Sequence, residues 1–189
     1  MSSLVVVMVG TDHHRFDRLV DWVDEAARRR PDVRFVVQHG ASRAPSVAEG
    51  HEFLGHQKLL ELLAGAAAAV CHGGPGTIMD ARSAGHVPLC VPRDPARGEH
   101  VDGHQQRFAA LAEQAGVVTR ISSLEQLESV LDELLAVDDA TRPRTLPTSP
   151  ATEAARARLA RELDELVAPR PAGSWWGRWA RPSGRPFHG

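Results

Sequence analysis

His72-Gly-Gly-Pro-Gly-Thr-Ile-Met-Asp80 brings an imidazole, bare backbone, a hydroxyl and a carboxylate into one short stretch. Gly73, Gly74 and Gly76 let the chain approach a ligand closely. If a helix starts here, the free N–H groups of its first turn attract an anion. Thr77 adds a hydroxyl in that turn, and Asp80 follows three residues on, on the same helix face. A carboxylate there accepts hydrogen bonds from paired hydroxyls, as on a ribose. The set therefore suits a nucleoside diphosphate. A tight turn from strand to helix, capped by the threonine, would use the same residues, and glycine content alone leaves both readings open. Two common phosphate loops are excluded. The P-loop ends in Gly-Lys-Ser/Thr, and no lysine follows these glycines. The dinucleotide fingerprint belongs after the first strand, where this chain has Val9-Gly10-Thr11-Asp12.

The elements that must position these residues can be read from periodicity. Residues 4–9 are a continuous β-branched run, the mark of a strand buried on both faces. Helical spacing of apolar residues over 15–30 ends at Pro31. Strands are predicted over 33–38, 67–71, 86–91 and 117–120, and helices over 56–63, 76–83, 104–115 and 124–135. Residues 40–50 read as loop, Phe53-Leu54 as a candidate short strand, and 93–103 as a charged loop. Strands alternating with helices over short connections imply parallel βαβ units. The expected fold is an α/β, Rossmann-like, doubly wound parallel sheet over 1–136. A linker over 137–150, a charged helix over 151–168 and a Trp/Arg-rich tail over 169–189 complete the chain.

A second stretch narrows the function. Asp102-x-His104-Gln105 follows the next strand, which Pro88 and Pro92 bound. Together with His72-x-Gly74-x-Gly76-Thr77-x-x-Asp80, it resembles the donor-sugar signature of GT-B glycosyltransferases, most closely the family 28 C-terminal domain. Val9-Gly10-Thr11 followed by Phe16-Asp17-Arg18-Leu19-Val20 is similar to the small catalytic subunits of two-part UDP-sugar transferases. Those act on dolichol-linked and bacterial exopolysaccharide acceptors. The resemblance covers residues 4–135.

The resemblance implies a role for each matched position. Gly10 and Thr11 would line the cleft at the end of the first strand. His72, Gly73, Gly74, Gly76 and Thr77 would hold the diphosphate through amides, imidazole and hydroxyl. Asp80 stands where the family has glutamate for the ribose, one methylene shorter. His104 and Gln105 would meet the sugar hydroxyls. Arg107 and Phe108 depart from the family pattern, so sugar preference does not transfer. The implied reaction is a metal-independent, inverting hexosyl transfer from a UDP-sugar, with no cofactor. A base must deprotonate the acceptor, and His13 and His14 are its candidates, with a place as exposed loop residues the alternative. The family also implies an acceptor half on a separate, membrane-anchored subunit and a lipid-linked acceptor. A non-catalytic UDP-sugar-binding module is the alternative function.

Composition agrees with this reading. The chain has 189 residues, 42% hydrophobic and 24% charged, enough for one α/β domain. A net charge of −2 gives no reason to expect nucleic acid as partner. Cys71 and Cys90 end apolar runs and read as buried reduced thiols in a cytoplasmic protein. No run approaches the length of a spanning helix. Trp175, Trp176, Trp179 and four arginines in 170–189 suit peripheral contact with the inner membrane face, or docking on the body or a partner. His51-Glu-x-x-x-His56 is one residue too long for a zinc-protease helix, and no metal site is expected. Asp17 and Arg18 read as capping and surface-pairing residues, and 156–165 as a solvated helix face.

Overall fold

The computed structural model describes residues 3–137 and 150–167. The tail expected over 169–189 and almost all of the expected linker lie outside the described residues. Six parallel strands form one sheet: β1 (Leu4–Met8), β2 (Arg34–Gln38), β3 (Glu49–His51), β4 (Ala68–Cys71), β5 (Leu89–Cys90) and β6 (Thr119–Arg120). Their spatial order is β3-β2-β1-β4-β5-β6. Val5 pairs with Phe35 on one side and with Ala68 on the other, so β1 sits inside the sheet.

The alternation of β1 divides the core. Val5, Val7 and Val9 face α1 (Asp17–Arg29) and α5 (Leu124–Ala136), burying Leu19, Val20, Val23, Leu127 and Leu131. Val6 and Met8 face α2 (His56–Ala64), α3 (Pro75–Ser83) and α4 (His104–Gln114) on the opposite side. A strand covered by helices on both faces must be apolar at every position, and β1 is.

Two expectations are corrected here. The third strand is Glu49–His51, starting at the end of the loop expected over 40–50, and Phe53-Leu54 is not a strand. This edge strand is exposed at Glu49 and Gly50, so no buried face marks it in the sequence. Phe53 is left 68% exposed beyond it. The second correction concerns the solvated face expected over 156–165: the charged helix is present as α6 (Pro150–Val167), but it buries one stripe. Ala155 and Leu159 are buried and Leu163 half-buried, a stripe of every fourth residue seated in the same core as Ala112 of α4 and Ala115 just after it. Arg156 Nε also donates to the carbonyl of Ala115 at 3.1 Å. Arg158, Arg161 and Glu162, between those apolar positions, remain exposed as expected.

Candidate donor cleft

β1 and β4 lie side by side at the sheet centre, and the chain leaves them toward opposite edges. That is the point where an open parallel sheet leaves a crevice beyond its carboxyl ends. Gly10, Thr11 and Asp12 follow β1 there, and the glycine loop follows β4. They bound a cleft of 570 Å³, lined also by Phe53, Leu54, His56, Thr77, Asp80 and Gln105.

His72 is the cleft's buried floor. Gly10 (φ +91°) could hold a Cβ only 2.7 Å from His72 Cε1, and a Cβ on Gly74 would stand 2.4 Å from its Nε2. Both positions therefore lack side chains because the imidazole lies between them, a reason beyond ligand approach. Burial, reinforced by the Arg93 charge, lowers the His72 pKa to about 4. At neutral pH the ring is uncharged, so its part in holding an anion is that of a hydrogen-bonding dipole.

The N-terminus of α3 opens on this cleft without a side-chain cap. Pro75 at its first position has no N–H to give. Thr77 Oγ1 donates to the carbonyl of Gly74 at 2.9 Å, so its proton is committed within the loop. The amides of Gly76 and Thr77 are the first-turn donors without a partner in the helix. Gly76 has nothing within 4 Å of where a Cβ would be, so its bare side is open space.

Asp80 lines the cleft one turn along α3, half-buried, with its carboxylate 3.9 Å from His56 Nδ1. Gln105 lines it from α4, and its Oε1 is buried with no hydrogen-bond partner. A buried carbonyl oxygen without a donor is a place for a ligand hydroxyl. Phe53, exposed on the rim, presents an apolar ring to the same space. Its misreading as a strand residue hid this position in the sequence.

The remaining expected site residues lie elsewhere. Gly73 and His104 line a second cleft of 650 Å³ with Phe108, Leu111 and Glu162. His104 is 74% exposed, and its Nδ1 accepts from Arg107 Nη2 at 2.8 Å. Only Gln105 of that pair reaches the first cleft. Neither His13 nor His14 is among the lining residues; their neighbour Asp12 is. Asp12 Oδ1 accepts from the His14 amide at 2.7 Å and lies 2.6 Å from its ring Nδ1. Burial raises the Asp12 pKa, but these bonds and the charges of His14 and Arg93 hold it below the ordinary value.

A buried ionic frame carries this loop, and the sequence reading missed it. Arg93 is 1% exposed and donates to the carbonyls of His14 (2.6 Å), Val9 (2.9 Å) and Glu99 (2.9 Å). Arg18 makes a two-pronged contact to the buried Glu99, at 2.8 Å from both Nε and Nη2. It is thus a core ion pair across the strand ends, where surface pairing was expected. Asp17 caps nothing on α1; it pairs at the surface with Arg15 at 3.2 Å, as expected, and accepts from the Arg43 amide at 2.9 Å. Pairs separated by 81 positions in the chain, as Arg18 and Glu99 are, leave no local signal.

Residues 4–162 match the sequence profile of the glycosyltransferase family 28 C-terminal domain. The chain belongs to that family. Its fold matches part of solved GT-B glycosyltransferases. The glycotransferase of kitacinnamycin is 21% identical with a TM-score of 0.54, over 86% of this chain and 39% of its own. The spinosyn forosaminyltransferase SpnP is 21% identical with a TM-score of 0.51, over 87% of this chain and 40% of its own. UGT89C1 of Arabidopsis thaliana, solved complexed with UDP, is 15% identical with a TM-score of 0.51, over 86% and 39%. This family 28 chain thus spans about two fifths of the length of the structures it matches. No curated protein matches it significantly. Among the described residues, no helix is long and apolar enough to cross a membrane.

Proposed function

We propose that this family 28 domain is the donor-binding and catalytic half of a glycosyltransferase that moves a hexose from a UDP-sugar to an acceptor. One observation carries the reading. The uncapped N-terminus of α3 and the unpartnered Gln105 Oε1 border the same cleft at the sheet's switch point. The first suits a diphosphate and the second a sugar hydroxyl next to it.

Each group then has a task. The uracil stacks on Phe53, and Asp80 accepts from the ribose hydroxyls. The diphosphate meets the Gly76 and Thr77 amides, with Gly10, Thr11 and His72 as its floor. As the anomeric C–O bond breaks, charge grows on the β-phosphate. Fixed amides at a helix N-terminus stabilise that charge without a metal in the bond-breaking step. The acceptor hydroxyl attacks from the opposite face, inverting the centre, and gives its proton to a base. His14, oriented by Asp12, is the proposed base, and the more exposed His13 is its neighbour.

The acceptor half resides in our reading on a separate, membrane-anchored chain and presents a lipid-linked acceptor at the cytoplasmic face. The Gly10-Thr11 and Phe16–Val20 resemblance to two-part transferases supports it. The tail at 169–189 would add peripheral membrane contact.

Calorimetry of the full chain with UDP, UMP and a panel of UDP-sugars tests the core of this. One site is expected, with UDP tighter than UMP, and Gln105→Ala should weaken a UDP-sugar while leaving UDP unchanged. Absence of binding by UDP and by every UDP-sugar would overturn the reading.

A further inference from the structure

Asp12, His13 and His14 form a cluster beside the donor cleft that the transfer step does not fully use. Their ligand atoms, one from each residue, all lie within 4.8 Å of one another. We propose that these three residues bind a borderline divalent cation of the zinc type. The bond cleavage proposed above needs no metal, but an ion on His14 Nδ1 leaves Nε2 protonated, so the cation-loaded state is one in which His14 does not take the acceptor proton.

The donor set selects the class of metal. Two imidazoles and one carboxylate suit zinc, cobalt or nickel, whereas magnesium and calcium call for oxygen ligands. Around a tetrahedral ion with bonds near 2.0–2.2 Å, neighbouring ligand atoms stand about 3.4 Å apart. The separations from Asp12 Oδ1 are 3.8 Å to His13 Nδ1 and 2.6 Å to His14 Nδ1, on either side of that value. Binding would close the first and open the second, with Asp12 Oδ1 leaving part of its bond to the His14 amide at 2.7 Å. The cation would take the place of the proton that His14 Nδ1 shares with Asp12.

The cluster is both held and reachable. Arg93 fixes the His14 carbonyl from the buried side, so the backbone carrying the ligands is anchored before any ion arrives. His13 is 84% exposed and Asp12 31%, which gives an entry path and room for water in the fourth position.

The test needs no nucleotide, so its outcome is separate from that of UDP binding, which is measured in chelator. Full-length chain is titrated with Co²⁺, followed by the visible ligand-field band, and competed with Zn²⁺; Mg²⁺ is the control. One equivalent of cobalt is expected, displaced by zinc and untouched by magnesium. His13→Ala removes an exposed side chain at little risk to folding and should weaken binding at least about tenfold. His14→Gln should do the same. No cobalt band in the wild-type chain, or a band of equal affinity in both variants, would overturn the proposal.

Discussion

The two clefts flanking the glycine loop share Gln105 and Pro75 and differ in almost everything else. The 570 Å³ cleft on the β1 side ends on an uncapped helix, a carboxylate and a buried imidazole. The 650 Å³ cleft on the α4 side is bordered by Phe108, Leu111 and Glu162, with His104 at its rim held by Arg107. A sequence pair as tight as His104-Gln105 therefore faces two environments. Adjacent residues at the start of a helix point about 100° apart, enough to keep His104 out of the first cleft while Gln105 lines both. Proximity in a motif does not place two side chains in one site.

The sharpest way to probe the β1 side is through its floor. His72 has a folded pKa of about 4, against 6.5 for a free imidazole. Above pH 6.5 neither the folded nor the unfolded state binds the proton, and His72 carries no penalty. As pH falls from 6.5 toward 4, the unfolded chain takes up the proton and the folded chain does not, so stability drops. The loss levels off once the folded ring also protonates, at about 3 kcal/mol. Denaturant unfolding of the wild-type chain and His72→Gln between pH 7 and 4 checks this. The acid loss should be smaller in the variant, and equal losses would show that His72 is not the buried group described.

Gly74→Ala should act next most strongly. Its Cβ would fall 2.4 Å from His72 Nε2, so the ring must move. Overpacking of this kind costs about 1–3 kcal/mol, which lowers the melting temperature by roughly 5 °C in a domain of this size. UDP affinity should fall with it, since the ring floors the cleft. Adding His72→Ala should restore part of the stability, the signature of a shared contact. A double variant no better than Gly74→Ala would place the strain elsewhere.

Phe53→Ala tests the rim. Stacking of a base on an aromatic ring contributes about 1–3 kcal/mol, so UDP binding should weaken roughly tenfold or more while thermal stability holds. Uridine affinity measured beside UDP would locate the loss: a variant that binds uridine as well as wild type would remove the stacking assignment.

Much of this was legible in the chain, for reasons that divide cleanly. β1, α1 and α3 carry their own signals, namely a continuous β-branched run, a 3.6-residue stripe and a Gly-Pro helix start. The parallel, doubly wound sheet followed from βαβ logic, which needs no long-range knowledge. β3 carried no signal because an exposed edge strand has no apolar face to show. α6 hid its seam, since Ala155, Leu159 and Leu163 are thin among charged neighbours. The Arg93 and Arg18–Glu99 frame depends on partners brought together only by the sheet. For the site, the spacing of His72, Thr77 and Asp80 was readable, but the commitment of the Thr77 hydroxyl to Gly74 and the neutrality of His72 are properties of packing.

The smallest effect is the most discriminating. His104→Ala removes a 74% exposed ring whose polar contacts run to Arg107 and Asp102. It should leave UDP and UDP-sugar affinities within about twofold of wild type, because exposed pairs contribute little. Gln105→Ala, one residue on, removes the buried Oε1 and should weaken a UDP-sugar about tenfold, the effect of losing one well-placed hydrogen bond. If His104→Ala matched Gln105→Ala in that assay, the hexose would have to span the glycine loop, and the two clefts would be halves of one site.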